Sequence, residues 1–203
     1  MSSNGVSGCS CSISSSSADM SSVAIVEKYS TLPCYLTHRD PILSHYFRGV
    51  YASDKLSGLV EDQQWPKKTP YCFIANTDAL NQPGEHWVAF YCPIKGPMEY
   101  FCSYALPPVK FWSFLEHSEY QNYEMNSYPV QSPTSSVCDQ YCLYYLHQRC
   151  RGLDMNTCLL PFGTNTDQND RWVNRWIEQR YGIHLDVYDT YFLKKQISRA
   201  LPF

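Results

Sequence analysis

The sequence HWVAFYC, residues 86–92, decides the fold, because it is a continuous apolar run that follows a glycine-containing turn. A run of this length bounded by turn residues is typical of a buried strand. Two similar runs flank it, YCFIAN at 71–76 and MEYFCSY at 98–104. The segments 81–84 and 95–97 carry the proline and glycine residues that separate paired strands. The sequence therefore predicts three consecutive strands of one sheet.

Helical patterns surround this run of strands. Residues 40–50 are expected to form a short helix, and 107–118 a second one, because proline is tolerated in a first helical turn. Apolar residues share one face over 138–150 and again over 168–181, which predicts two longer helices. A further short strand is expected to end at Val130–Gln131. Strands in one run with helices before and after them indicate the α+β class.

The composition fits one globular domain. The chain has 203 residues, of which 44% are apolar and 17% charged. Eleven of the first 22 residues are serine, so we expect a disordered tail at 1–24 and a folded domain at 25–203. No apolar run reaches the roughly 18 residues that a membrane-spanning helix requires. We expect a monomer without a membrane partner.

Ten cysteines are the unusual feature of the composition. The first 22 residues contain no Lys or Arg and no apolar core segment, so we expect neither a secretory signal nor a disulfide framework. The spacings Cys9-x-Cys11 and Cys138-x3-Cys142 match no zinc site, and we expect no metal. Most of the thiols are expected to pack as small apolar side chains of an intracellular protein, in nucleus, cytoplasm or virion. A purely structural or metal-binding cysteine-rich domain is the alternative.

Cys138 is the thiol best placed for chemistry, because the polar loop 131–137 delivers it to the start of a predicted helix. Free N–H groups and the helix dipole at that end favour a thiolate, which is the nucleophilic form. His86 lies at the start of a predicted strand. An imidazole beside a thiol stabilises the thiolate and protonates a leaving amine. Gln131 is an amide that can donate to an oxyanion together with the Cys138 N–H. Each feature alone is typical of ordinary packing, and only their combination indicates a nucleophilic site.

The sequence around these residues resembles the adenovirus-type cysteine proteases. PGEHWVAFY at 83–91 resembles their histidine motif G-x-H-W-x-A-F, and EYFCSYALPP at 99–108 aligns with the strand that bears their acid. Gln131 precedes Cys138 by seven positions, as the oxyanion glutamine precedes the nucleophile in that family. The resemblance covers roughly residues 30–160. It is closest to the proteases of Maverick/Polinton transposons and adintoviruses, which are related to the ubiquitin-like-modifier proteases.

The resemblance implies a papain-like, adenain-type fold, with a central mixed sheet flanked by helices and the nucleophile at a helix N-terminus. It implies Cys138 as nucleophile, His86 as its base and Gln131 in the oxyanion hole. Trp87 is expected to cover the substrate groove, and a buried core tryptophan is the open alternative. The expected partners are protein substrates with a Gly-rich cleavage site, either capsid precursors of the same element or Gly-Gly conjugates of ubiquitin-like modifiers.

The adenovirus enzymes use DNA and a disulfide-linked peptide as cofactors, which this sequence does not favour. The net charge is −3, which argues against binding DNA by bulk charge. The peptide is linked through a cysteine upstream of the glutamine, and the stretch 109–130 has no cysteine. We therefore expect no cofactor.

Two positions depart from the family pattern. Cys102 stands where the family has Asp or Glu to orient the histidine, and Asp139 stands where glycine usually follows the nucleophile. A thiol with a pKa of about 8.5 is mostly neutral at pH 7 and is a weak hydrogen-bond partner. Three hypotheses stay open: a catalytic dyad, another carboxylate in the acid's role, or an inactive pseudoprotease that binds a protein tail. Glu99, Asp78 and Asp139 are the candidate carboxylates, although Glu99 would face the opposite side of its strand.

Overall fold

The computed structural model describes residues 36–37, 39–57, 68–82, 84–118 and 122–185. The tail expected at 1–24 lies outside these residues, so its boundary with the folded domain stays a prediction. Within the described residues, one sheet carries packed helices on both of its faces.

Five strands form a mixed sheet whose spatial order follows the chain. Their bounds are β1 Phe47–Ala52, β2 Tyr71–Asn76, β3 Trp87–Cys92, β4 Met98–Phe101 and β5 Tyr123–Met125. The central strand β3 pairs antiparallel with β2 and with β4, as the sequence predicts for consecutive strands joined by turns. The outer strands β1 and β5 pair in parallel with β2 and β4.

Among the described residues, five α-helices have both ends defined, and they lie before and after the central strands. Their bounds are α1 Leu43–Tyr46, α2 Trp112–His117, α3 Cys138–Cys150, α4 Met155–Leu159 and α5 Thr166–Tyr181. Within the described part of the chain, no helix combines the length and the hydropathy that crossing a bilayer would demand. The mixed sheet with flanking helices confirms the predicted α+β class.

The helix α3 lies at the centre of one layer. It packs on β3, with α1, α4 and α5 around it, and ten of its 13 residues are buried. Its tyrosines bury their rings because each hydroxyl finds an acceptor: Tyr141 donates to Val130 O at 2.9 Å and Tyr144 to Cys158 O at 3.0 Å. A helix buried on nearly all sides holds its first residue, Cys138, in a fixed place.

The opposite face of the sheet carries an aromatic layer. Phe73 of β2 stacks on Phe90 of β3 with ring centroids 4.7 Å apart, and Phe114 of α2 packs edge-on against both. Phe111 also packs against Phe90, with ring centroids 5.3 Å apart. Side chains that alternate along β2 and β3 therefore serve two different cores, which explains why both strands are continuous apolar runs.

The structure differs from the sequence-based expectation at three elements, of which the strand predicted over 98–104 is shorter and ends at Phe101. The helix predicted over 40–50 ends at Tyr46, because the following residues pair in parallel with β2 and Gly49 has a φ of +136°. The prediction of a strand that ends at Val130–Gln131 is also wrong. Both of these N–H groups donate to Ser103 O, and β5 lies earlier, at 123–125, in a stretch too short to show a pattern.

Candidate functional site

Cys138 is the first residue of α3. The preceding residue, Val137, is the N-cap, and its side chain makes no capping hydrogen bond. The first-turn N–H groups and the helix dipole favour negative charge at this position. Cys138 is 2% exposed, so almost none of its surface is accessible to solvent.

His86 lies immediately before β3, at the same end of the sheet as the C-terminus of β2. Its carbonyl accepts a hydrogen bond from Thr77 N at 2.9 Å, which closes the β2–β3 connection. Asp78 accepts from Gly84 N at 3.1 Å, and Gly84 has a φ of +87° that favours glycine. Asp78 therefore shapes the loop that carries the histidine.

Cys102 contacts His86 directly. The Cys102 Sγ lies 3.2 Å from His86 Nε2, at the end of β4. Burial raises the pKa of the Cys102 thiol, and the backbone N–H groups of Leu106 and Tyr104 and the Tyr100 hydroxyl lower it by less. The position therefore holds a neutral thiol, although the surrounding N–H groups favour a negative charge.

Asn126 fixes the peptide groups of Cys102, a role that sequence reasoning missed. Its side chain accepts from Cys102 N at 3.0 Å and donates to Cys102 O at 2.8 Å. The same amide donates to Tyr128 O at 3.1 Å, and Asn126 is 2% exposed. These bonds replace the strand ladder, which ends at Phe101.

Gln131 is buried beside the loop that leads to Cys138. Its Oε1 accepts from Ser103 Oγ at 2.6 Å, and its Nε2 donates to both the carbonyl and the hydroxyl oxygen of Ser135 at 3.1 Å. The amide therefore holds the 131–137 loop in this conformation. Donation to an oxyanion would require Gln131 to exchange one of its Ser135 contacts.

Tyr104 lies among these groups. Its ring centroid is 4.8 Å from that of His86, and its hydroxyl donates to Ser135 O at 3.0 Å. Burial, with a smaller contribution from the neighbouring acidic groups, raises the pKa of Tyr104 to about 12. Tyr104 therefore contacts both the histidine and the loop that leads to the candidate nucleophile. Its aromatic character two residues after Cys102 was the only signal of this in the sequence.

Trp87 is 4% exposed and belongs to the same core cluster as Cys138 and Tyr141. A side chain with so little exposed surface has almost none to offer a substrate. The packing alternative therefore describes Trp87 in this structure, and a role in the substrate groove stays a prediction.

The carboxylates considered as substitutes for the acid have other contacts. Glu99 makes two hydrogen bonds of 2.6 Å to Arg149 and accepts one from Tyr145, on the α3 side of the sheet. Asp139 accepts from Gln140 N at 3.1 Å within the first turn of α3. The His86 Nε2 lies beside the Cys102 thiol instead.

The cysteines of the described residues are all free thiols. Cys72 and Cys150 approach each other, with sulfurs 3.8 Å apart, at the far end of α3 from Cys138. Cys92, Cys142 and the other thiols of the core pack as apolar groups. No cluster of His, Cys, Asp and Glu suited to a metal ion occurs among the described residues.

No protein-family model matches the chain, and no curated protein matches it either. Among solved structures, the chain is similar to the central domain of an uncharacterized Legionella pneumophila protein, at 11% identity and a TM-score of 0.42, over 66% of this chain and 86% of that one. It is similar to the ASFV pS273R protease at 19% identity and a TM-score of 0.39, over 58% of this chain and 45% of that one. It is also similar to a deletion variant of AvrA determined with IP6 and CoA, at 12% identity and a TM-score of 0.43, over 75% of this chain and 57% of that one. The chain thus spans about half the length of the last two proteins, and what its site does depends on its own residues.

Proposed function

We propose that this protein is a cysteine-type endopeptidase that cleaves after Gly-containing sites. The observation that supports it is the contact of Tyr104 with both the ring of His86 and the carbonyl of Ser135, in the loop that leads to Cys138 at the start of α3. A thiol at a helix N-terminus near an imidazole is the arrangement that produces a reactive thiolate.

In the proposed reaction, His86 carries one proton at a time between sulfur, substrate and water. Cys138 gives its thiol proton to His86, and the thiolate attacks the carbonyl carbon of the scissile peptide bond. The imidazolium gives that proton to the amine as the C–N bond breaks, which leaves a thioester on Cys138. Water then gives a proton to His86 while its oxygen attacks the thioester. The carboxylic acid leaves, and the thiol regains its proton.

The oxyanion of each tetrahedral intermediate requires donors at the start of α3. The Cys138 N–H is the first proposed donor, because the N–H groups of a first helical turn point toward the helix start. Gln131 supplies the second, by exchanging its contact with Ser135 O for the oxyanion. The low exposure of Cys138 and Gln131 favours glycine, which has no side chain, before the scissile bond. Capsid precursors and Gly-Gly conjugates of ubiquitin-like modifiers are the proposed substrates.

An inactive pseudoprotease that binds a protein tail is the second candidate. The observation that favours it is the neutral, buried thiol of Cys102 at the position beside His86 where a carboxylate would stabilise the imidazolium. In serine triads the loss of the acid costs about 10⁴-fold. A cysteine enzyme is expected to lose less, because a thiol ionises more readily than a hydroxyl.

Turnover of a fluorogenic peptide ending in Gly-Gly before the reporter amide separates the two candidates. Steady multiple turnover by the wild type, and none by Cys138→Ala, supports the endopeptidase. Binding of the peptide without release of the reporter supports the pseudoprotease. A protein that does neither contradicts both.

A further inference from the structure

Tyr104 lies in a tight turn that fixes the direction of its side chain. The turn is closed by a hydrogen bond of 2.8 Å from Ala105 N to Cys102 O. Ala105 has a φ of +51°, a left-handed conformation that is uncommon outside glycine and is held only by well-packed surroundings. The turn that follows β4 and begins at Cys102 therefore places Tyr104 against the histidine.

The ring of Tyr104 contacts the imidazole of His86 in a tilted arrangement. The two ring centroids are 4.8 Å apart and the planes make an angle of 31°. An aromatic face attracts a positively charged ring and limits the rotation of a neutral one. The ring can therefore orient His86 whether the imidazole is neutral or protonated.

The hydroxyl of Tyr104 reaches the loop that precedes Cys138. It donates to Ser135 O at 3.0 Å, and Gln131 Nε2 donates to the same oxygen at 3.1 Å. The Ser135 hydroxyl also accepts from Gln131 and donates to Ser132 O at 3.2 Å. One side chain thus connects the histidine with the loop that carries the amide and the thiol.

We infer that Tyr104 is the positioning residue of this site, whose ring holds the His86 imidazole and whose hydroxyl holds the loop of Gln131 and Cys138. The thiol of Cys102 is a weak hydrogen-bond partner, so it orients the histidine less firmly than a carboxylate does. Tyr104 adds a second constraint through the tilted contact between the two rings. The catalytic consequence rests on the proposed function, whereas the positioning is measurable without turnover.

Nuclear magnetic resonance of the full chain tests separately the role of the Tyr104 ring and the role of the Tyr104 hydroxyl. In the wild type, we expect a nuclear Overhauser effect between the ring protons of His86 and Tyr104. Tyr104→Leu removes the ring, so the His86 ring signals are expected to shift as the ring current is lost. Tyr104→Phe keeps the ring and removes the hydroxyl, so the Gln131 side-chain amide signals are expected to shift while those of His86 stay.

Tyr51 provides the matched control, because its hydroxyl also donates to a backbone carbonyl, Arg48 O at 2.7 Å, and its ring also contacts another ring. Tyr51→Leu and Tyr51→Phe are expected to leave the His86 and Gln131 signals in place. If the wild type cleaves peptides, Tyr104→Leu is expected to lower kcat about tenfold with KM nearly unchanged, since a misplaced catalytic group slows the chemical step. Tyr104→Phe is expected to restore most of that loss.

Three results would overturn the inference: no Overhauser effect between the two rings, unchanged His86 signals in Tyr104→Leu, or unchanged Gln131 signals in Tyr104→Phe. The first measurement needs no variant, so the inference is testable even if Tyr104→Leu does not fold. Absence of turnover with the expected spectra would instead count against the proposed function alone.

Discussion

Two histidines on opposite ends of the central layer have different partners. His147, near the C-terminus of α3, has its Nδ1 2.8 Å from Asp40 Oδ2. His86, near the N-terminus of α3, has its Nε2 3.2 Å from the Cys102 thiol. The carboxylate of Asp40 also accepts from Arg180 at 3.3 Å and from Tyr181 at 3.0 Å.

The difference shows that a carboxylate–histidine pair does not by itself mark a reactive site. Asp40 joins α1, α3 and α5, since its other oxygen accepts from Ile42 N at 2.9 Å and Leu43 N at 3.1 Å. Its partners are complete, as a buried charge requires, and the pair is structural. His86 instead has the thiol of Cys102, a weak hydrogen-bond partner, 3.2 Å from its Nε2, and proton transfer to and from Cys138 is its proposed role.

The largest expected effect is the loss of the nucleophile. Cys138→Ala is expected to reduce peptide cleavage more than about a thousandfold, because no other group replaces the attacking sulfur. Initial rates with the fluorogenic Gly-Gly peptide measure the change. Cys158→Ala, which removes a buried thiol of α4, is the control and is expected to keep its rate. Cleavage by Cys138→Ala at a rate near the wild type's would place the nucleophile elsewhere.

The buried carboxylate of Asp40 is expected to contribute stability with a defined pH dependence. Burial alone would raise the pKa of Asp40, but its hydrogen bonds to His147, Leu43 and Ile42 outweigh burial and hold that pKa well below its usual value. The stabilisation is therefore complete above the unfolded pKa of about 3.9 and declines as the pH falls toward the folded value.

Asp40→Asn is accordingly expected to lower the free energy of unfolding by about 3 kcal/mol at pH 7, because it breaks a buried charged network. The deficit relative to wild type should be about 1 kcal/mol smaller at pH 3. Urea unfolding at the two pH values measures both. Glu116→Gln on the exposed side of α2 is the control. An equal deficit at both pH values would show that the charge of Asp40 is not what stabilises the fold.

Giving His86 the partner that His147 has is expected to raise activity. Cys102→Asp is expected to increase kcat/KM about tenfold, since a carboxylate stabilises the imidazolium and holds its tautomer. The N–H groups of Leu106 and Tyr104 that face Cys102 favour the added charge. Cys102→Asn, which has the same shape without the charge, should show no gain. A Cys102→Asp protein that folds and is no faster than wild type would exclude position 102 as the site of the acid.

The smallest expected effect concerns Glu99, the buried carboxylate of β4. Glu99→Gln is expected to change the alkylation rate of Cys138 by less than about twofold, because the Glu99 partners are Arg149 and Tyr145 and lie far along α3. Iodoacetamide labelling followed by peptide mapping measures this rate. A tenfold fall with the fold retained would mean that Glu99 acts on the histidine after all.

Long apolar patterns made much of the fold predictable from the sequence. The strands β2 and β3 and the helix α3 are confirmed, because each is a strong local pattern that tertiary packing reinforces. The edge strands were not foreseen. β1 depends on pairing with β2 rather than on its own pattern, and β5 has only three residues.

The candidate site divides in the same way. Cys138, His86, Gln131 and Cys102 were identified by sequence, and the structure brings Cys102 to His86, while the catalytic roles stay predictions. Tyr104 and Asn126 were missed because they act over distance along the chain. The Asn126 bond to Cys102 spans 24 residues and the Tyr104 bond to Ser135 spans 31, and no local pattern signals such contacts.

Labelling with an electrophilic peptide ending in Gly-Gly tests the central claim most directly. The chain carries ten cysteines, so every other thiol is an internal control. Intact mass and peptide mapping are expected to show one adduct per chain, on Cys138, and none in Cys138→Ala. An adduct on another cysteine at an equal rate, or none on Cys138 in a folded protein, would contradict the assignment of Cys138 as the nucleophile.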